Sequence, residues 1–408
     1  MASYSLFSLM VLVTTALIQS TTASYFLVDN YTGEALFSEF TFFTGSDPTH
    51  GFVEYVSEPR ARQAGLISSG NEHAYIGVDF HNTVTTGGRP SVRLASKNTY
   101  NKGLLLADLT HMPGGLCGVW PALWLLGAGA WPANGEIDVV EGVNAQTENL
   151  MTLHSTAGCG VDNSTAAHGG AAATVSRNGS YSGRLATPDC DVDALGQGRN
   201  VGCQIAAPAA AAAPPAPAAA TFGTAFNANG AGVFAMEWTR AGVGVWFFAR
   251  PAPHAGLPPG VATADQRDPD PSPDFGEPLA RFAGAGCDFD GHFRDMTLVL
   301  NTAFCGDWAG AEGEWVASGC RERTGFQTCR DYVAGRPAEF EEAYWNVSGL
   351  RWYEKAACGM VPVEGGCLRR ECMISRCGLA GRDGAGRPVA VRSEGVRSAS
   401  SLISDGEE

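Results

Sequence analysis

Glu136, Asp138 and Glu141 fall within one short apolar stretch, Gly135-Glu136-Ile137-Asp138-Val139-Val140-Glu141-Gly142. Acidic residues are disfavoured in strands, so three in a single strand-length run call for a reason. On a regular strand alternate residues share a face. Glu136 and Asp138 then point one way, and Ile137 and Val139 point the other way into a core. Glu141 has the wrong parity. One bulge near Val139 or Val140 returns it to the acidic face, and bulges are common beside active sites. Four strand steps separate the outer Cα atoms by about 13 Å. Side chains that lean together bring their carboxyls toward the ~5–5.5 Å at which one carboxylate attacks a glycosidic carbon while the other protonates the leaving oxygen. Close like charges supply the raised pKa that the acid needs. Asp138, between the two, can hydrogen-bond the nucleophile and tune its charge. The spacing alone also fits a calcium site or a solvated face.

Aromatic residues shift the balance. Trp120, Trp124 and Trp131 lie just upstream of the acids. Sugar rings present C–H faces that pack on indole, so tryptophans beside paired carboxylates suit a saccharide cleft. Each of them taken singly also fits a core. Trp120 and Trp124 differ by four and share a face of a strand. His154 sits in the alternating stretch Met151-Thr152-Leu153-His154-Ser155, which fits a neighbouring strand. There it is either a satisfied core residue or a partner for a catalytic carboxylate or a sugar hydroxyl.

These residues need a scaffold, and the sequence between Ser24 and Tyr353 reads as strands. Strand-length apolar runs recur at Ala74–Val78, Ser91–Ala95, Gly103–Ala107, Val233–Trp238, Gly244–Phe248 and Met296–Leu300. They are rich in β-branched and aromatic residues. Helical periodicity is scarce, and Pro337–Tyr344 is the best candidate for a short helix. With 52 glycines and 22 prolines the chain suits a turn-heavy antiparallel sandwich or barrel. Two segments stand apart. Ile205–Thr221 is almost all Ala and Pro and reads as a flexible surface loop inserted in the domain. Residues 354–408 form a Cys-containing C-terminal extension, with a Gly/Arg/Ser-rich end that reads as disordered.

Composition narrows the partners. The chain has 408 residues, 45% of them hydrophobic, enough for a large core. A net charge of −15 disfavours nucleic acid and anionic membrane surfaces. Leu6–Ile18 is mostly apolar and runs into the small residues Thr21-Thr22-Ala23, so residues 1–23 read as a signal peptide and the protein as secreted. That run is short for a membrane span. Twelve cysteines, an even number without a CxxC pair, suit disulfides rather than zinc. Sequons at Asn30, Asn163, Asn178 and Asn346 suit glycosylation in an exported protein.

At the acidic strand the sequence resembles glycoside hydrolase family 16, in its fungal laminarinase or endo-1,3(4)-β-glucanase form. The resemblance runs from about Phe37 to Tyr353. It is carried by Phe42-Phe43-Thr44-Gly45-Ser46-Asp47-Pro48-Thr49-His50-Gly51-Phe52-Val53, Gly88-Arg89-Pro90-Ser91-Val92-Arg93, His111-Met112-Pro113-Gly114-Gly115, Trp120-Pro121-Ala122-Leu123-Trp124, the Glu-x-Asp-x-x-Glu signature, Met151-Thr152-Leu153-His154, Ala235-Met236-Glu237-Trp238 and Phe304-Cys305-Gly306-Asp307-Trp308. It implies an all-β jelly-roll of two antiparallel sheets with a concave substrate cleft, in a catalytic domain over residues 24–353. By position it implies Glu136 as nucleophile, Asp138 as its assistant and Glu141 as acid/base. It implies Arg93, Trp124, Trp131, Asn134, His154 and Trp308 as cleft-lining residues. The expected substrate is β-1,3-glucan or mixed β-1,3/1,4-glucan, hydrolysed by a monomer that needs no cofactor and no metal. A transglycosylase keeps the same glutamates and remains an alternative. A non-hydrolytic glucan-binding relative typically loses the acids that are kept here.

Overall fold

Alternation of buried and solvated residues organises most of the chain into two antiparallel sheets of eight strands each. The computed structural model describes residues 25–70, 72–161, 181–209, 220–250, 261 and 275–355, with four three-residue strands beyond, Met360–Pro362, Met373–Ser375, Ala380–Arg382 and Pro388–Ala390. The expected signal segment, the sequons at Asn163 and Asn178, and Cys358, Cys367, Cys372 and Cys377 lie outside the described residues. Of the other sequons, Asn30 is exposed and Asn346 half-buried.

The first sheet runs in the order Arg184–Thr187, Cys203–Ala206, Leu150–His154, Glu136–Glu141, Val119–Gly127, Met296–Phe304, Arg93–Ser96, Phe40–Phe42. The second follows the path Ala280–Ala283, Gly242–Ala249, Gly232–Thr239, Gly103–His111, Trp345–Lys355, Ala74–Ile76, Ile67–Ser69, with Tyr25–Tyr31 also paired to Trp345–Lys355. Each of the six strand-length runs seen in the sequence contributes to a strand. Between the sheets, Leu123, Leu125, Ile137, Leu153 and Leu300 of the first share one core with Leu105, Phe234, Met236, Trp238 and Trp352 of the second. Burying a large apolar side chain is worth about 1.5–3 kcal/mol, so this shared core holds the sheets face to face. The fold is the all-β sandwich that the sequence led us to expect.

A second, smaller core lies at one end of the first sheet. It joins Phe52, Tyr55, Val119 and Phe304 to Trp315, Tyr332, Val333 and Phe340. The last four belong to a run of short helices, Gly306–Ala309, Glu312–Ala317, Cys320–Thr324 and Cys329–Gly335, followed by a 3-10 turn at Pro337–Phe340. The helix expected over Pro337–Tyr344 is therefore only that single turn. The helices before it have at most seven residues. One or two turns are too few for a 3.6-residue period to show in a sequence. Disulfides Cys117–Cys320 and Cys305–Cys329 pin this cap to the strands. Cys159–Cys287 and Cys190–Cys203 tie down loops at the far side of the sheet.

The Ala/Pro-rich segment needs a correction. Ile205 and Ala206 end a strand, and Ile205, Ala206, Ala207, Ala220 and Thr221 are all buried. Both ends of the segment are thus packed structure rather than surface loop. Alanine fills narrow spaces beside a sheet without a β-branched signature, so its composition hides them. Residues 210–219 lie outside the described residues.

Candidate active site

The acidic strand is entered through Gly135, whose φ of +76° is costly for any side chain. A Cβ there would sit 2.5 Å from the Phe293 ring and 2.6 Å from the His292 carbonyl oxygen. From Glu136 the strand pairs in regular register with its neighbour, Glu136 opposite Leu126, Ile137 opposite Leu125 and Asp138 opposite Trp124. The register then slips by one residue, and Val140 stands opposite Leu123 and Glu141 opposite Ala122. Val139 is the extra residue of a β-bulge, where the sequence parity required one. Ile137, Val139 and Val140 are all fully buried in the shared core. Glu136, Asp138 and Glu141 share the opposite face.

That face assembles most of the expected residues. His154 stands directly opposite Glu136 on the adjoining strand. Its Nε2 lies 3.3 Å from Asp138 Oδ2 and 3.9 Å from Glu136 Oε1. Trp131 donates its indole N–H to Glu136 Oε2 at 2.8 Å, and Trp120 donates to Glu141 Oε1 at 2.8 Å. Trp131 is 42% exposed, an unusual state for so large an apolar ring and one that suits a sugar platform. Trp308 packs edge-on against Trp120 with ring centres 5.5 Å apart. Trp124 donates to Asn301 Oδ1 at 2.8 Å, and Arg93 lies 4.9 Å above the Trp124 ring and 4.8 Å above Phe43. Asn134 is placed differently. Its side-chain nitrogen bonds the Ala128 carbonyl at 2.6 Å, and its oxygen accepts from Arg294 at 2.7 Å. Both polar atoms thus brace the turn that leads into the acidic strand.

Asn301 and Tyr55 were not singled out in the sequence. Asn301 holds Trp124 with its oxygen and reaches the Tyr55 hydroxyl with its nitrogen at 3.3 Å. The match of Asn301 to Arg93 and Ala122 across three strands is a long-range pairing, and local periodicity carries no trace of it.

Electrostatics divide the acids from ordinary carboxylates. Burial pushes Glu136 up to about 8, reinforced by the Asp138 charge and opposed by His154. Burial and the Asp138 charge also push Glu141 up to about 8, against the pull of the Trp120 N–H. Burial holds Asp138, 2% exposed, well above the usual carboxylate range. Burial makes each carboxyl resist ionisation, and a charge on Asp138 raises both glutamates further, so once one carboxyl of the face loses its proton its neighbours hold theirs more tightly. An attacking carboxylate and a proton donor are the pair that cleavage of a glycosidic bond requires. Glu136, Asp138 and His154 also offer donor atoms within 4.8 Å of one another. A divalent cation held there would occupy the lone pair that an attacking Glu136 needs.

The chain matches the XgeA-like catalytic GH16 domain over residues 40–353. It is 38% identical to an endo-1,3(4)-beta-glucanase of Arthroderma benhamiae over 85% of this chain and 68% of that protein. It spans 48% of the length of a probable endo-1,3(4)-beta-glucanase of Aspergillus fumigatus, at 36% identity. Among solved structures it resembles laminarinase 16A of Phanerochaete chrysosporium with beta-glucans in donor and acceptor sites, at 36% identity and a TM-score of 0.69, covering 81% of this chain and all of that one. An elongating family 16 beta-1,3-glucosyltransferase matches with 35% identity and a TM-score of 0.66 over the same shares. The antiparallel two-sheet sandwich, the bulged Glu-x-Asp-x-x-Glu strand and these matches agree, and the chain belongs to glycoside hydrolase family 16.

Proposed function

We propose that this protein is a retaining endo-β-glucanase acting on β-1,3-glucan and on mixed β-1,3/1,4-glucan. One observation carries the reading. Three carboxyls share one face of a bulged strand, the two outer ones each take an indole N–H, and burial raises all three. Glu136 attacks the anomeric carbon as a carboxylate while Glu141 gives its proton to the departing glycosidic oxygen. Glu141, now ionised, takes a proton from water. The water oxygen then displaces Glu136 from the sugar, and the anomeric configuration is retained. His154 favours the ionised Glu136 through this cycle, Trp131 steadies its second oxygen, and Asp138 assists only while its own raised carboxyl keeps its proton. Trp124, Trp131 and Trp308 supply apolar faces for successive sugar rings, and Arg93 backs Trp124.

The endo-1,3(4)-beta-glucanase and laminarinase relatives support the choice of substrate. The glucosyltransferase relative supports a second reading, in which a sugar hydroxyl replaces water in the last step. The four disulfides among the described residues suit an oxidising compartment, and with the apolar segment at residues 1–23 they support export.

Purified protein is incubated with laminarin, barley mixed-linkage glucan, cellulose and xylan, and reducing ends are counted. Release from the first two alone is the expected result. Longer products without new reducing ends, when laminari-oligosaccharides are added as acceptors, would replace hydrolysis by transfer. Inertness on all four in both assays would end the proposal.

A further inference from the structure

The bulge that turns Glu141 toward the cleft is held by a side chain rather than by a strand. The acidic strand pairs with Leu150–His154 only through Glu136–His154, Ile137–Leu153 and Asp138–Thr152. Beyond Asp138 that ladder stops. On the other side the register has just slipped at Val139. The segment that sets the direction of Glu141 therefore lacks a regular ladder on one flank and has an interrupted one on the other. Regular parity at this point would send the Glu141 side chain into the core, so the bulge has to be held.

Asn149, the residue just before that neighbouring strand, fills the gap. Its Oδ1 accepts the Glu141 backbone N–H at 2.9 Å, and its Nδ2 donates to the Val139 carbonyl at 2.8 Å. A primary amide can present an N–H and a C=O in one plane, as a peptide group does, so this side chain stands in for the missing strand. Asn149 is fully buried. Its own N–H donates to Thr221 Oγ1 at 3.2 Å, and its carbonyl accepts from the Ala207 N–H at 2.9 Å. Both ends of the Ala/Pro-rich segment thus clamp Asn149, and Asn149 clamps the bulge. An unbonded amide in so dry a place is costly, which makes this arrangement rigid.

We infer that Asn149 is a positioning residue for Glu141: it locks the bulge in the one geometry that presents the Glu141 carboxyl to the leaving oxygen. The inference rests on the acid/base reading of Glu141. It assigns Asn149 no contact with substrate. Loss of the lock misplaces the proton donor and leaves Glu136, in the regular part of the strand, where it is. The defect is then confined to substrates whose leaving group must be protonated.

Asn149→Ala removes both bonds, and Asn149→Ser keeps a hydroxyl that can serve one of the two backbone groups. Each is purified as the full chain and checked by far-UV circular dichroism. Values of kcat/KM are then taken on laminari-oligosaccharide and on 2,4-dinitrophenyl β-laminaribioside, whose leaving group needs no proton. The expected result is a fall of about 10²-fold on the oligosaccharide, the usual order for impaired general acid catalysis, with less than about 3-fold on the dinitrophenyl substrate. The serine variant should lie between alanine and wild type. Equal losses on the two substrates would reduce Asn149 to a general support of the fold, and undiminished activity on the oligosaccharide would remove it from the reaction. The wild-type protein on both substrates is the control. If it cleaves neither, the glucanase reading fails, independently of Asn149.

Discussion

The indole nitrogen of Trp120 donates to Oε1 of Glu141 across 2.8 Å, and this bond lowers the proton affinity of that carboxyl. This bond favours the ionised carboxyl, while burial and Asp138 push Glu141 up to about 8. Trp120→Phe keeps an aromatic ring against Trp308 and removes the donor. Glu141 then holds its proton to higher pH. The alkaline limb of kcat/KM on laminarin is expected to move up by about one pH unit, the scale of one charge-assisted hydrogen bond partly replaced by water. A limb that stays in place would mean that Glu141 does not supply the proton.

Trp131 makes the corresponding bond to Glu136, and the opposite limb should respond. Its N–H lowers the affinity of Glu136 for a proton. Trp131→Phe leaves the nucleophile protonated to higher pH, so the acidic limb moves upward while the alkaline limb holds. The pH profiles of the two tryptophan variants, overlaid, tell the two carboxyls apart. Movement of the same limb in both would contradict the division of roles between Glu136 and Glu141.

How far this site could be read from the sequence follows from which constraints are local. Parity made the bulge legible, because Glu141 could join Glu136 and Asp138 only through an extra residue, and that residue is Val139. The alternating run Met151–Ser155 marks the neighbouring strand, but it leaves open whether His154 serves a core or a carboxylate; the pairing with Glu136 places it beside the acids. Asn301 and Tyr55 were not legible, since they reach Trp124 through pairings between strands far apart in the chain. Asn149 was not, because a single asparagine before a strand looks like any turn residue. Asn134 resembled a cleft residue by position, yet its amide is bonded to Ala128 and Arg294. The helices over Gly306–Gly335 were hidden by their shortness, and cysteines rather than periodicity mark where they attach.

Removal of either glutamate should separate binding from turnover. Glu136→Gln is nearly isosteric and cannot form the covalent intermediate. Turnover of laminarin should fall by about 10³-fold or more, with glucan binding retained by calorimetry. Near-wild-type turnover would overthrow the assignment of the nucleophile. Glu141→Ala should lose about 10²–10⁴-fold on laminarin and much less on a dinitrophenyl glycoside in kcat/KM. Without that contrast Glu141 is not the acid.

Asn301 should act on sugar binding through Trp124. Its amide oxygen holds the indole N–H at 2.8 Å while Arg93 covers the ring. Asn301→Ala frees one edge of the indole. One neutral hydrogen bond is worth about 1 kcal/mol, so KM for laminari-oligosaccharides should rise about fivefold with kcat changed little. A loss confined to kcat would place Asn301 with the catalytic acids instead of with the ring that it anchors.

The acidic face should make the protein less stable as the solution becomes alkaline. Glu136 and Glu141 are each raised from 4.5 to about 8 by burial first, and Asp138 is raised by the same cause. Between those values the folded chain binds more protons than the unfolded chain. Stability therefore falls as pH rises through that window. Their contribution is fully present below about 4.5 and lost above about 8. Glu141→Gln removes one carboxyl that resists ionisation. Its melting temperature should match wild type near pH 4 and exceed it near pH 9, by on the order of 2 °C for each kcal/mol regained. The comparison is made by calorimetry across that range. A gap that is constant with pH would show that Glu141 ionises as easily in the fold as out of it, and would remove the physical basis for its service as a proton donor at neutral pH. A gap that opens with pH would measure the stability the fold gives up when a carboxyl held in so buried a place has to ionise.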